Sequence, residues 1–208
     1  SLFFVVFQGT LGALTVVYQE TLAKSLLLAL HFGFSLISFA SVVLLTVYLS
    51  QMIRGEKIPQ PKASPWLRLS LWGLAGYTYV VVYTGALVRH AEATMACGYE
   101  FPFCGVHFLP SLQSPQGIQM LHRYAGILLW LLTLVLLFFV WMKVRERKDI
   151  LRGSLWAFIL ITLQALSGIW TIKSGAVLMV ALLHTTIISI YFTVLCYLCI
   201  QARRGQAM

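Results

Sequence analysis

Three histidines are the residues of this sequence best suited to chemistry, and each falls in a long apolar stretch: His31, His122 and His184. Neutral imidazole is a common metal ligand. Two imidazoles that face each other across a helix bundle can supply both axial ligands of a haem iron. A histidine that only hydrogen-bonds to a neighbouring helix is the simpler alternative. Because His122 and His184 fall on separate predicted helices at similar depth, we favour haem ligation for this pair.

Two arginines lie where a haem would need positive charge. Arg123 directly follows His122, and Arg89 ends another apolar stretch. Guanidinium groups bind carboxylates well, so either could neutralise a haem propionate. The alternative is that both arginines are interfacial anchors, and for Arg89 this alternative is favoured as much as propionate binding. We assign no role to His90 or His107.

Four cysteines form two pairs with different surroundings. Cys97 and Cys104 enclose six residues in a polar connection, where an oxidising compartment would allow a disulfide; two free thiols are the alternative. Cys196 and Cys199 have C-x-x-C spacing but lie within an apolar stretch, so we interpret them as core residues.

The composition indicates which elements hold these side chains. Of 208 residues, 60% are hydrophobic and only 10% are charged, which excludes an ordinary soluble domain. A membrane-spanning helix needs roughly 20 apolar residues. Six uncharged runs come close to or exceed that length, so we predict an all-α integral membrane protein with six transmembrane helices. The runs are 1–19, 25–53, 69–88, 124–142, 153–172 and 174–202.

The net charge of +9 does not indicate a nucleic-acid partner, because the basic residues lie in short connections between apolar runs. Eleven fall on one predicted side, and the positive-inside rule makes that side cytoplasmic. The 89–117 loop then lies outside and the C-terminus inside. The eleven are Arg54, Lys57, Lys62, Arg68, Lys143, Arg145, Arg147, Lys148, Arg152, Arg203 and Arg204, against Lys24, Arg89, Arg123 and Lys173 on the outer side.

A repeated pattern divides the chain. A Gln, a Gly and a Thr at positions i, i+4 and i+7 share a helix face and precede a histidine on the next helix, and this occurs twice. The copies run in the same direction, which predicts a parallel pseudo-repeat. We therefore expect one complete four-helix bundle and half of a second, with roughly ninety residues absent before the first copy. The two sets are Gln8, Gly12, Thr15, His31 and Gln164, Gly168, Thr171, His184.

The predicted domain organisation follows from this repeat. Residues 1–55 hold the last two helices of an N-terminal half, residues 56–66 are a cytoplasmic linker, residues 67–202 form the C-terminal four-helix half, and residues 203–208 are a cytoplasmic tail.

An ordered set of motifs resembles the haem A synthase family over almost the whole chain. It comprises the string Thr84-Gly-Ala-Leu-Val-Arg-His90, the loop with Ala96-Cys-Gly and Phe103-Cys-Gly, the helix start Gln119-Met-Leu-His-Arg123, and the repeated Gln, Gly, Thr and His pattern.

The resemblance implies two similar four-helix halves. It implies a b-type haem between His122 and His184, and binding of the substrate haem O in the N-terminal half with His31 as one ligand. The implied reaction oxidises the C8 methyl group of haem O to a formyl group, giving haem A. The family's second helix carries a Glu three residues before a His-Arg pair. At the equivalent place in the C-terminal half this chain has Gln119, and the helix expected to carry the Glu belongs to the absent N-terminal part, so the catalytic residue stays unassigned.

The resemblance also implies surroundings: the plasma membrane of a bacterium, and contact with haem O synthase and with cytochrome oxidase assembly. The sequence leaves open whether the chain forms homo-oligomers. Two other functions compete. A di-haem b-type cytochrome that only transfers electrons would show similar helices and histidines. The other is a transporter with parallel repeats. Transporters commonly have broken helices at mid-bilayer, whereas the helices that carry His122 and His184 have no Pro and no Gly pair there.

Overall fold

The structure is a computed structural model that describes residues 2–18, 21–55, 63–105 and 111–204, without the side chains of residues 21–26. Lys57, Lys62 and His107 lie outside the described residues, as does the side chain of Lys24.

All regular structure in the described part of the chain is helical. Six α-helices are joined by short connections, and a single 3-10 turn, Ala93–Met95, lies in the longest connection. The helices are α1 (Leu2–Val17), α2 (Thr21–Ile53), α3 (Pro65–His90), α4 (Pro115–Lys143), α5 (Lys148–Lys173) and α6 (Leu178–Arg203).

Five of these helices, α2 to α6, are long and apolar enough to cross a membrane. The expectation of an all-α membrane protein is therefore confirmed, while the count of six spans is met only in part. Helix α1 is apolar but has 16 residues. At about 1.5 Å per residue it is roughly 24 Å long, shorter than the roughly 30 Å hydrocarbon core of a bilayer.

Helices α3 and α4 begin earlier than the uncharged runs predicted. The Ser64 and Ser114 hydroxyls each accept a hydrogen bond from the backbone N–H three residues later, and a proline follows each serine. A serine cap followed by proline is a strong start signal for a helix. Arg123 therefore lies within α4, in its third turn.

Helices α3 to α6 contact one another in a closed cycle: α3 with α4, α4 with α5, α5 with α6, and α6 with α3. Helices α1 and α2 pack together, and α2 joins the cycle by contacting α3 and α6. Apolar side chains fill the interior, among them Leu71, Leu129 and Leu195, which are almost completely buried.

At one end of the bundle, the connection between α4 and α5 is fastened to the last turn of α6. Buried Arg147 pairs with Asp149 at 2.9 Å and donates to the carbonyl oxygens of Gln201 and Arg204. A guanidinium at a helix C-terminus satisfies carbonyls that have no helical partner and opposes the helix dipole. Arg204 in turn donates to Gln51 near the end of α2. We call this the basic end of the bundle; the three histidines lie toward the other end.

Candidate histidine site

His122, on α4, is oriented by Thr84 near the end of α3. Thr84 Oγ1 lies 2.8 Å from His122 Nδ1 and donates its own hydrogen to the carbonyl oxygen of Val81, 2.7 Å away. A hydroxyl has one hydrogen, and the carbonyl already receives it. When the hydroxyl keeps this bond to Val81, Nδ1 of His122 is the donor to Thr84. The other ring nitrogen, Nε2, is left with a lone pair that can bind a metal.

His184, on α6, has the same arrangement with α5. Ser167 Oγ lies 2.8 Å from His184 Nδ1 and donates to the carbonyl oxygen of Gln164 at 2.9 Å, so Nδ1 is again the donor. The side-chain amide nitrogen of Gln164 lies 3.0 Å from His184 Nε2. The amide oxygen of Gln164, Oε1, is buried without a hydrogen-bond partner in the described part of the chain. An iron that bound Nε2 would replace Gln164 as its partner.

The two histidines occupy corresponding places in the helix cycle. His122 lies seven residues after the start of α4, and His184 lies six residues after the start of α6. Their helices, α4 and α6, each pack against both α3 and α5, so the two histidines that the sequence singled out lie on opposite helices of the cycle.

His31 belongs to the separate pair of helices α1 and α2. Its Nδ1 lies 2.9 Å from the backbone carbonyl oxygen of Gln8. A carbonyl only accepts, so Nδ1 donates here as well and Nε2 keeps its lone pair. The position that corresponds to Ser167 in this copy of the repeat is Leu11, which is buried and has no hydroxyl. The backbone carbonyl of Gln8 therefore binds Nδ1 of His31 in the way that the Ser167 hydroxyl binds Nδ1 of His184.

Each of the three rings also lies against a glycine of the neighbouring helix. A β-carbon added at Gly12, Gly85 or Gly168 would lie 3.0 to 3.1 Å from Cε1 of His31, His122 or His184, respectively. That is closer than an ordinary van der Waals contact. Glycine thus lets the ring pack directly against the neighbouring helix, and this explains the Gly position in both copies of the repeated pattern. Gly85 does not belong to the repeated pattern, so the repeat did not indicate its contact with His122.

Arg123 is 9% exposed and points into the connection that precedes α4. Its Nη1 donates to the carbonyl oxygens of Pro102 and Phe103, and its guanidinium lies over the ring of Phe101. Nε and Nη2 are buried and have no hydrogen-bond partner in the described part of the chain. Leaving two charged donors unsatisfied is costly, so the group is suited to an anion that the chain itself does not supply. Arg89 is exposed.

The connection between α3 and α4 is closed by a disulfide between Cys97 and Cys104, which confirms the disulfide prediction. Buried Gln119 fixes it to α4: its carbonyl oxygen accepts from the backbone N–H of Cys97, and its amide nitrogen donates to the carbonyl oxygen of Thr94. Lys173 donates to the carbonyl oxygen of Tyr99 from the end of α5. Gln119 thus holds the loop in place, a role that sequence reasoning missed.

The remaining sequence candidates lie elsewhere. Cys196 and Cys199 are free thiols on α6, with Cys199 buried and Cys196 partly buried, which agrees with their interpretation as core residues. His90 is the last residue of α3 and is partly exposed.

This combination defines a class of protein: a multi-pass helical membrane protein with three histidines whose Nδ1 atoms are each held by a neighbouring helix. The family model of COX15-CtaA, described as cytochrome oxidase assembly protein, matches residues 1–196. The chain belongs to this family.

Curated relatives agree with that membership. The chain is 41% identical over 206 residues to "Heme A synthase" of Bacillus pumilus (strain SAFR-032), covering 98% of this chain and 66% of the relative. It is 42% identical over 205 residues to "Heme A synthase" of Symbiobacterium thermophilum, covering 95% and 64%. A third, from Halalkalibacterium halodurans, is 38% identical over 208 residues, with 99% and 67% covered. The chain spans about two thirds of the length of these relatives.

Proposed function

We propose that this chain carries haem A synthase activity, the oxidation of the C8 methyl group of haem O to a formyl group to give haem A for cytochrome oxidase. The observation that carries the proposal is the placement of His31, His122 and His184, whose Nδ1 atoms each lie 2.8 to 2.9 Å from a hydrogen-bond partner on the neighbouring helix, an arrangement that suits a metal-binding imidazole. The names of the curated relatives support the same function.

The residues of the α3 to α6 cycle fit a resident b-type haem. His122 and His184 would be the axial ligands, and the buried free nitrogens of Arg123 would bind a propionate. Such a haem supplies one-electron redox chemistry. The chain orients both ligands: Thr84 and Ser167 fix the tautomer of each imidazole, and Gly85 and Gly168 fix the plane of each ring. Arg89, which is exposed, would contribute only at the rim.

His31 is proposed to bind the iron of the substrate, haem O. It lies on the α1 and α2 pair, which corresponds to α5 and α6 in the parallel repeat, as its contacts with Gln8 and Gly12 support. We accordingly propose residues 1–55 as the substrate-binding half, 56–66 as linker, 67–202 as the haem b half and 203–208 as tail.

No residue of the described chain is proposed as the catalytic acid or base. Gln119 stands where the family pattern in the other half has a Glu. Its amide oxygen accepts a hydrogen bond from the backbone of Cys97, and its amide nitrogen donates one to the backbone of Thr94. An amide does not titrate in the physiological range, and this one is fully engaged. It is a structural residue of the loop.

We further propose that the chain lies in a bacterial plasma membrane with the disulfide loop outside and the basic end in the cytoplasm. The outer side is oxidising, which agrees with the disulfide between Cys97 and Cys104. Haem O synthase and the cytochrome oxidase assembly machinery are the proposed partners, since one would deliver the substrate and the other would take the product.

The activity can be tested in cells that make haem O but lack their own haem A synthase. Haems extracted from membranes with and without the chain are separated by chromatography. We expect haem A to appear with the chain, to disappear with His31→Ala, and to persist with His90→Ala. Unchanged haem O beside a b-type haem bound to the chain would favour the di-haem cytochrome instead.

A further inference from the structure

A cavity of about 290 Å³ lies between α2 and α6 at the basic end, far from the histidines. Gln201 is 17 residues after His184 on the same helix, so it lies roughly 25 Å along the helix axis from that ligand. The apolar part of the wall includes Leu44, Leu45 and Ile200. The polar part includes Gln51, Gln201 and Arg204. The cavity thus has a polar rim at the helix ends and an apolar wall that continues toward the middle of the bundle.

Arg204 brings positive charge to the rim. Its Nη1 donates to Gln51 Oε1, and its guanidinium lies 5.7 Å from the centre of the Tyr48 ring. These two contacts hold the guanidinium in one place without using all of its five hydrogens. Among the described side chains, none that lines the cavity is acidic. A fixed, partly engaged guanidinium without a carboxylate is suited to a phosphate.

Gln201 supplies the second signal. Its side chain is 2% exposed, and its carbonyl oxygen Oε1 is buried with no hydrogen-bond donor in the described part of the chain. A buried acceptor without a donor is uncommon in proteins. Gln201 also lines the cavity, so an occupant that donates a hydrogen bond as well as presenting an anion would complete its hydrogen bonding.

We propose that this cavity binds an anionic phospholipid whose headgroup carries hydroxyls, of the phosphatidylglycerol type. The phosphate pairs with Arg204, a glycerol hydroxyl donates to Gln201, and the start of an acyl chain lies on Leu44 and Leu45. The bilayer itself supplies such a ligand, and basic pockets between membrane helices are known to select anionic headgroups. A redox ligand such as a quinone is disfavoured by the roughly 25 Å that separate the cavity from His184.

The proposal can be tested by native mass spectrometry of the purified chain in detergent, titrated with phosphatidylglycerol or with phosphatidylcholine of the same acyl chains. Arg204→Gln and Gln201→Leu are the test variants. Arg203→Gln is the matched control, because it removes the same charge from the adjacent, exposed position. The visible spectrum and melting temperature of each variant show whether it is folded.

We expect the parent chain and Arg203→Gln to bind phosphatidylglycerol about tenfold more tightly than phosphatidylcholine, and the two test variants to lose that preference. Gln201→Leu should keep its affinity for phosphatidylcholine. Equal binding of both lipids by the parent, or an equal loss in Arg203→Gln and Arg204→Gln, would overturn the proposal. So would recovery of a bound quinone that phosphatidylglycerol does not displace. If Arg204→Gln does not fold, Gln201→Leu alone decides the result.

Discussion

The hydroxyl oxygen of Ser167 lies 2.8 Å from Nδ1 of His184, and the same hydroxyl donates a hydrogen bond to the backbone carbonyl oxygen of Gln164. This contact joins α5 to α6 and fixes both the tautomer and the direction of the imidazole. Thr84 does the same for His122, from α3 to α4. Hydrogen-bond partners of this kind orient a metal-binding histidine and fix its tautomer.

Replacing Ser167 by alanine should therefore weaken haem binding without unfolding the bundle. The affinity for haem is expected to fall by about 10- to 100-fold, because the imidazole can then rotate and change tautomer. Titration of the apo protein with haem measures this affinity. Ser189→Ala is the control, since Ser189 bonds only to the backbone of its own helix at Thr185. Equal affinities of the parent and Ser167→Ala would contradict the prediction.

Gly168→Ala tests the close approach of α5 to the His184 ring. The new β-carbon would lie 3.1 Å from Cε1, so the ring must move by a few tenths of an ångström. We expect broadened electron paramagnetic resonance signals from the oxidised haem and reduced haem content. Gly126→Ala is the matched control, since a β-carbon there meets no atom within 4 Å. The idea fails if both alanine variants give the parent spectrum.

Arg123→Gln removes the buried positive charge beside His122. A nearby cation favours the reduced haem, which carries one positive charge less, so the midpoint potential should fall in the variant. A redox titration followed by visible absorbance measures the change. Arg89→Gln, at an exposed position, should shift the potential less. A larger shift for Arg89→Gln would show that the propionate contact has been assigned to the wrong arginine.

Removing the disulfide should destabilise the loop between α3 and α4. The Cys97→Ser, Cys104→Ser double variant is expected to lose about 2 to 3 kcal/mol, which corresponds to a melting temperature lower by about 5 to 10 °C. A reductant should lower the melting temperature of the parent chain similarly and leave the double variant unchanged. A parent chain that melts at the same temperature with and without reductant would show that the loop adds nothing to stability.

The sequence was sufficient to predict the membrane class, because long uncharged runs are a local pattern. Five of the six predicted spans are long and apolar enough to cross a membrane, whereas the pairing of His122 with His184 on one haem stays a prediction. Helices α3 and α4 begin a few residues ahead of the predicted positions, where Ser64 and Ser114 are each followed by proline. Counting charges alone does not locate these starts, because the uncharged run begins only after Arg123.

The partners of the histidines could not be predicted in the same way. Ser167 and Thr84 are ordinary helix residues in the sequence, and their roles depend on the rotation of one helix against the next. Gln119 contacts residues 22 and 25 positions away, in a loop without periodicity. Gly12 and Gly168 stood out as a repeated face, but only the structure shows that the histidine rings lie against them.

The central claim is that His122 and His184 hold one haem between them, and a reduced-minus-oxidised visible spectrum of the purified chain tests it most directly. We predict a b-type signal in the parent chain that is retained in His90→Ala and lost in both His122→Ala and His184→Ala. A parent chain without haem, or a haem signal that survives either of the two ligand substitutions, would contradict the claim.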